Sequence, residues 1–144
     1  MEEGAALMAF WLMKSEPGTW SWDDQVAAET AEWDGVRNYQ ASNNLKAMRV
    51  GDLAFFYHSV NEKRIVGIVE VVGEYYPDPS DPSGRFGMVD VKAVRPFVKP
   101  VTLQQIKSDS RLQTLPLIRQ SRLSVMEIDP DSWRIICELG QTEP

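Results

Sequence analysis

Three short segments carry too many polar groups for a hydrophobic core and too many aromatic rings for an ordinary surface. They read WLMKSEP at residues 11–17, WDGVRNYQA at 33–41 and AFFYHS at 54–59. Amide side chains can pair with the edge of a nucleobase, and Tyr or Trp rings can stack on its faces. A pocket for a base removed from its stack needs both kinds of group in a confined space. The combination favours such a pocket.

The same residue types also have ordinary structural roles. His58 alternates with Phe56 and Ala54, as a buried histidine in a strand does, while Arg37 and Asp34 are suited to pinning a turn. Each tryptophan taken alone is expected in the core rather than against a ligand; these are Trp11, Trp20, Trp22, Trp33 and Trp133. Only the combination of the three segments therefore carries the interpretation.

Enzymatic motifs leave one alternative open. The sequence has no Gly-x-Ser-x-Gly elbow, no Walker loop, no Gly-x-Gly-x-x-Gly and no cluster of metal ligands, so neither cofactor nor metal is expected. Lys14 and Glu16 alternate on a strand and can share one face, where Ser15 or Ser59 could act as a Lys-assisted nucleophile. An ion pair at a strand end is the simpler interpretation of Lys14 and Glu16.

Composition indicates one domain without a membrane partner. The chain has 144 residues, and it contains no apolar run of about 18 residues. Glu2 and Glu3 give the first residues the wrong charge for a secretory signal, and Met8 is an alternative start. The single cysteine, Cys137, cannot form a disulfide framework, which favours a reducing, cytoplasmic location.

Charge is unevenly distributed along the chain. The net charge of −6 comes from acidic ends, −7 over residues 1–34 and −4 over 127–144, around a middle of +5 over 35–126. An acidic protein with a basic segment can still present a local phosphate-binding face.

The pattern of apolar residues and turn signals predicts an α+β fold. Apolar and alternating runs predict strands at 10–14, 53–59, 64–76, 88–94 and 123–128. Cap residues predict helices at 22–28, 42–48 and 102–107, and one that opens at Asp129-Pro130 and ends before Gly140.

Six motifs in order resemble the EVE domain family over roughly residues 10–139. They are WLMKSEP (11–17), WDGVRNYQA (33–41), FFYHS (55–59), YPD (76–78), MVDV (88–91) and RLSV (122–125). The resemblance implies a PUA-like fold, a curved antiparallel β-barrel of five to six strands flanked by short helices. It divides the chain into a flexible N-terminal extension, residues 1–9, and an EVE domain, residues 10–140.

The resemblance also implies a function and a site. EVE domains are viewed as relatives of the YTH, ASCH and SRA base-binding modules, so the expected function is a non-catalytic reader that takes a flipped, modified base of DNA or RNA into a pocket. Tyr39 or Trp11 would stack on the base, and Arg37, Lys14 or Arg122 would meet phosphate. The full set of expected site residues is Trp11, Lys14, Ser15, Arg37, Asn38, Tyr39, Gln40, Tyr57, His58, Ser59, Tyr76, Pro77, Asp78, Ser121, Arg122 and Ser124.

Two departures from the family bear on nucleic-acid contacts. Ser42 stands where many members carry Arg after Gln-Ala, and the loop 79–85 is short. The runner-up hypotheses are a small ASCH-like amidohydrolase acting on a modified nucleoside through Lys14 and Glu16, and an interaction adaptor with a vestigial pocket.

Overall fold

The computed structural model describes residues 8–144. Within these residues, six strands and five α-helices follow one another in a mixed order, with one 3-10 turn at Ser110–Leu112. The elements are β1 (Phe10–Ser15), α1 (Trp22–Ala28), β2 (Thr30–Glu32), α2 (Tyr39–Ala47), β3 (Leu53–His58), β4 (Arg64–Pro77), β5 (Gly87–Thr102), α3 (Leu103–Ser108), α4 (Pro116–Arg119), β6 (Val125–Ile128) and α5 (Pro130–Leu139).

All six strands belong to one mixed sheet in the order β2-β5-β4-β3-β1-β6. Only β1 and β3 pair in parallel, and the other neighbours pair antiparallel. Within residues 8–144 the edge strands β2 and β6 do not pair with each other, so the sheet is curved toward a barrel without closing. The expected α+β class with six strands and short helices is confirmed.

The hydrophobic core lies against the sheet. Phe55 of β3 stacks on Trp133 of α5 with ring centroids 3.8 Å apart, and Phe10 of β1 covers the same indole at 4.5 Å. Helix α5 begins where Asp129 accepts a hydrogen bond from the Ser132 backbone N–H at 3.0 Å. Stacked aromatic rings supply much of the apolar area that a domain of this size needs.

Bulges in the longest strands bend the sheet. The register between β4 and β5 shifts four times, and β3 shifts against β4 between Phe56 and Tyr57. An extra residue on one strand of a pair bends that strand and increases its twist. The bend brings β1 and β2 to one cleft although three strands separate them in the sheet order.

Most element predictions are confirmed with shifted ends. Helix α1 has its predicted bounds, whereas α2 begins at Tyr39 because Asn38 accepts a hydrogen bond from the Ala41 N–H at 2.9 Å and caps it. Strand β5 continues past Pro96 to Thr102, where the prediction ended at 94. The short elements β2, α4 and the 3-10 turn were not predicted.

The predicted flexible extension falls mostly on residues 1–7, outside the described residues. In the described part of the chain, no helix combines the length and apolarity that a membrane span requires.

Candidate functional site

An open cleft of about 830 Å³ lies between the end of β1 and the segment that runs from α1 through β2. Its walls come from β1 on one side, from β2 and β5 on the other, and from the two loops that follow β1 and β2. The lining residues are Lys14, Ser15, Glu16, Thr19, Trp20, Ala28, Thr30, Ala31, Glu32, Trp33, Asp34, Gly35 and Asp90.

Trp33 forms one aromatic wall of this cleft. Its backbone N–H donates to the Val89 carbonyl at 2.8 Å, and its indole meets the ring of Phe56 edge-on at 5.4 Å. The side chain is only 8% exposed, so it is held in one orientation by the core behind it. A rigid ring at the mouth of a cleft presents a stacking surface with little entropy left to lose.

Trp20 forms a second aromatic wall and is fixed through the buried amide of Gln25. The indole Nε1 donates to Gln25 Oε1 at 2.9 Å, and the Gln25 amide nitrogen donates to the Glu29 carbonyl at 3.0 Å. The hydroxyl of Ser15 donates to the Trp20 carbonyl. The loop after β1 is therefore tied both to the strand and to α1.

The polar groups of the cleft are mainly hydrogen-bond acceptors. Four carboxylates line it, those of Glu16, Glu32, Asp34 and Asp90, against one amine. Asp90 accepts a hydrogen bond from the Tyr76 hydroxyl at 2.6 Å, and this bond raises the pKa of Tyr76. The phenol thus stays a donor and orients Asp90. Within the described residues, no three His, Cys, Asp or Glu side chains converge into a metal site.

Among the described residues that line the large cleft, Lys14 is the only one with a cationic side chain. It lies at the border between this cleft and a second, smaller cleft. Its Nζ donates to the Ser121 carbonyl at 2.8 Å and lies 5.8 Å from the centroid of the Tyr57 ring. Burial lowers the pKa of Lys14. Beyond Ser121 is a polar cleft of about 330 Å³ lined by Asn38, Gln40, Gln120, Ser121, Arg122 and Leu123.

The family model of the EVE domain matches residues 9–139. The chain belongs to the EVE domain family. Mouse thymocyte nuclear protein 1 is 37% identical to this chain over 175 aligned residues, which cover 98% of the chain and 77% of the mouse protein. This result confirms the resemblance carried by the six motifs.

Solved structures of relatives have the same fold. A Rhodopseudomonas palustris protein superimposes with a TM-score of 0.87 at 49% identity, with 93% of this chain and 94% of that chain covered. The human THYN1 protein in complex with 5-methylcytosine-containing DNA gives a TM-score of 0.86 at 35% identity, with 94% and 99% covered. The PUA-like α+β fold expected of an EVE domain is confirmed.

The structure distributes the expected site residues of this EVE domain over several places. Lys14 and Ser15 line the large cleft, whereas Asn38, Gln40, Ser121 and Arg122 line the small one. Ser59 and Ser124 lie beside β1, because the Ser59 N–H donates to the Ser15 carbonyl and the Lys14 N–H to the Ser124 carbonyl, both at 2.9 Å.

Other expected site residues are committed to contacts within the fold. Trp11 is buried and donates from Nε1 to Asp52 at 2.9 Å. His58 is buried, accepts the Trp22 N–H on Nε2 at 3.0 Å and meets Glu62 through Nδ1 at 2.8 Å. Tyr57 is buried beneath Lys14, and burial raises its pKa to about 12.

The remaining expected residues lie where β4 ends and α2 begins. Asp78 is buried and binds Arg37 at 3.2 Å, and Pro77 is exposed at the end of β4. Tyr76 reaches the large cleft indirectly, through Asp90. Tyr39 is exposed and its ring lies on Phe86.

Several residues of the large cleft were missing from the expected site: Thr19, Trp20, Thr30, Glu32, Trp33, Asp34 and Asp90. Trp33 and Asp90 lie within motifs of the family resemblance, so a signal existed for both, although Asp90 lies with Lys92 on the polar face of its alternating strand. Glu32 had none, because β2 has only three residues and shows no periodicity.

Proposed function

We propose that this protein is a non-catalytic reader of a modified cytosine in nucleic acid, and that the large cleft receives the flipped base. The observation that carries the proposal is a cleft with two fixed indoles and a row of acceptors, in an EVE domain similar to the human THYN1 protein solved with 5-methylcytosine-containing DNA.

The cleft has room for a nucleotide and a means to offset the cost of flipping. A volume of about 830 Å³ lies in the range of ligand pockets, which is about 300–1,000 Å³. Extruding a base costs a few kcal/mol, and stacking on an aromatic side chain returns about 1–3 kcal/mol. Trp20 and Trp33 are the rings on which the base would stack. This volume counts against the adaptor hypothesis, which a pocket too narrow for a base would have favoured.

The carboxylates of the cleft favour a base with an exocyclic amine. Cytosine presents an N4 amine that a carboxylate accepts from, whereas thymine presents a carbonyl oxygen at the same position. Glu32 and Asp90 are the acceptors on the β2–β5 side of the cleft. They disfavour thymine, although its ring carries the same methyl group as 5-methylcytosine.

The same charges keep phosphate outside. Four carboxylates against Lys14 make the interior acidic, so the sugar-phosphate backbone stays at the rim. Arg122 is exposed in the small cleft and is the cation placed to meet it. Few phosphate contacts and one stacked base give moderate affinity.

The test is a titration of DNA and RNA oligomers that differ at one position. That position carries cytosine, 5-methylcytosine, 5-hydroxymethylcytosine, thymine or N6-methyladenine. We expect tightest binding to a modified cytosine and weakest binding to thymine. Equal affinity for all oligomers would contradict the proposal.

Two cleft variants assign the contacts. Trp20→Ala is expected to lower the affinity for the modified oligomer by about five- to a hundredfold, which corresponds to the loss of one stacked base. Tyr75→Ala removes a half-buried ring outside the cleft and is its control. Glu32→Gln is expected to narrow the preference for cytosine over thymine, whereas Asp131→Asn on α5 should leave it unchanged.

A second candidate function is hydrolysis of a modified nucleoside. Lys14, Ser15 and Glu16 line the same cleft, and the lowered pKa of Lys14 suits a base. The described ion pairs do not join Lys14 to Glu16, and the Ser15 hydroxyl is bonded to Trp20. Release of ammonia or an acyl group from free nucleosides, lost in Lys14→Ala, would favour this activity over the reader.

The cytoplasmic location stays a prediction, since relatives are named for the nucleus.

A further inference from the structure

Tyr39 stands out as an exposed ring in a protein that buries its aromatic residues. All aromatic residues of the chain lie within 8–144, and Tyr39, at 60%, is the only one of them that is exposed. Exposed aromatic side chains that are held in place are a common feature of binding surfaces.

The ring of Tyr39 is supported from below. It lies on buried Phe86 with ring centroids 4.9 Å apart and planes inclined by 35°. The guanidinium of Arg37 lies 5.8 Å from the centroid of Phe86. The open side of the ring is therefore presented in a fixed place.

The backbone on either side of Tyr39 is also fixed. Asp78 accepts from the Gly35 N–H at 2.8 Å and from Arg37 at 3.2 Å, and Asn38 caps α2. A surface held this way loses little conformational entropy when a ligand binds.

Tyr39 lines neither cleft, but residues on both sides of it in the sequence do. Asp34 and Gly35 are in the wall of the large cleft, and Asn38 and Gln40 are in the wall of the small one. Lys14 joins the two clefts through the Ser121 carbonyl. A nucleic acid that contacts the walls of both clefts therefore comes near the exposed ring of Tyr39.

We propose that Tyr39 is a second stacking platform, which binds a base other than the one held in the large cleft. This inference rests on the proposed function. Stacking is tolerant of sequence because every base has a π-face, so the platform adds affinity without adding selectivity.

The test compares ligands with and without a second base. The ligands are 5-methyldeoxycytidine monophosphate and an oligomer with one 5-methylcytosine. Tyr39→Ala is expected to lower the affinity for the oligomer by about five- to a hundredfold. Its affinity for the mononucleotide should stay within about twofold of that of the parent protein. Tyr39→Phe keeps the ring and should bind the oligomer and the mononucleotide with the affinities of the parent protein. Trp20→Ala should lower the affinity for both ligands.

A fluorescent base shows the contact directly. 2-Aminopurine is placed 5′ to, 3′ to or opposite the modified cytosine, and stacking on Tyr39 is expected to change its emission at one of these positions. The change should disappear in Tyr39→Ala and persist in Tyr39→Phe. Thermal unfolding of each variant confirms that it is folded.

The outcomes separate the two proposals. A preference for modified cytosine together with unchanged oligomer binding by Tyr39→Ala would overturn the platform alone. Equal losses for mononucleotide and oligomer would place Tyr39 in the base site and also overturn it. No preference among oligomers in the parent protein would overturn the proposed function, and the platform with it.

Discussion

At the scale of single residues, one buried carboxylate joins the two loops beside the clefts. Asp78 accepts hydrogen bonds from Gly35, from Arg37, and from the backbone and hydroxyl of Ser80 at 2.8 and 2.7 Å. Burial alone would raise the pKa of Asp78, but these donors outweigh it and lower the pKa to about 2. The ionised form therefore stabilises the folded state.

Asp78→Asn is expected to lower the free energy of unfolding at pH 7 by about 1–3 kcal/mol, because charged hydrogen bonds are lost in a buried place. The folded pKa lies below the ordinary value of 3.8, so this contribution is present above about pH 4 and is lost as pH falls toward 2. Urea unfolding between pH 2 and 7 measures it. The curves of parent and variant should converge at low pH, and parallel curves would contradict the assignment. Asp131→Asn, at an exposed site, is the control.

At the scale of elements, α1 is the support of the large cleft, and a few specific contacts hold it to the sheet. The ring of Trp22 lies so close to Gly67 of β4 that an added Cβ would come within 2.5 Å of it. The Trp22 N–H donates to His58 Nε2, so Nδ1 of that histidine carries the proton shared with Glu62. Gln25 fastens Trp20 to the same helix.

Gly67→Ala should displace Trp22 and with it the start of α1. Overpacking of this kind costs about 1–3 kcal/mol, measured as a lower midpoint of urea unfolding. Gly18→Ala is the matched control, since nothing lies within 4 Å of its added Cβ. We also expect weaker binding of the modified oligomer by Gly67→Ala, because Trp20 and Ala28 move with the helix. Unchanged stability would show that the indole has room to shift.

At the scale of the whole molecule, ion pairs engage several cations of the positive middle segment, residues 35–126. Arg37 pairs with Asp78, Arg64 with Glu62, and Arg111 with Asp109. These pairs commit three of the thirteen basic residues between 35 and 126 to carboxylates of the same segment, so those three are less available to bind phosphate. If this acidic protein binds nucleic acid as proposed, we expect few phosphate contacts.

The salt dependence of binding measures this number. With about two phosphate contacts, the logarithm of the binding constant should fall against the logarithm of salt concentration with a slope of about −2. Arg122→Ala is expected to reduce the steepness by about 1, with little change in preference among bases. Arg134→Ala, on α5 beside Asp131, should keep the parent slope. If the salt dependence has the same slope in both variants, Arg122 does not contact phosphate.

The sequence alone determined the family and most of the elements. The six motifs identify an EVE domain, and local signals place α1 and the start of α5 at their observed positions. A capping box at Ser21 and Asp24, and the pair Asp129-Pro130, act on residues within one helical turn. Interactions of such short range can be predicted from the local sequence.

Only the tertiary structure decided which residues share the cleft. Lys14 on β1 and Asp90 on β5 are far apart in sequence and separated by two strands in the sheet, and the bulges of β4 and β5 bend them toward one another. Trp33 and Trp11 both pack in the hydrophobic core, but Trp33 also lines the cleft, whereas Trp11 is hydrogen-bonded to Asp52. Both are tryptophans in polar motifs, and what distinguishes them is the curvature of a sheet whose register shifts arise from pairing between distant strands.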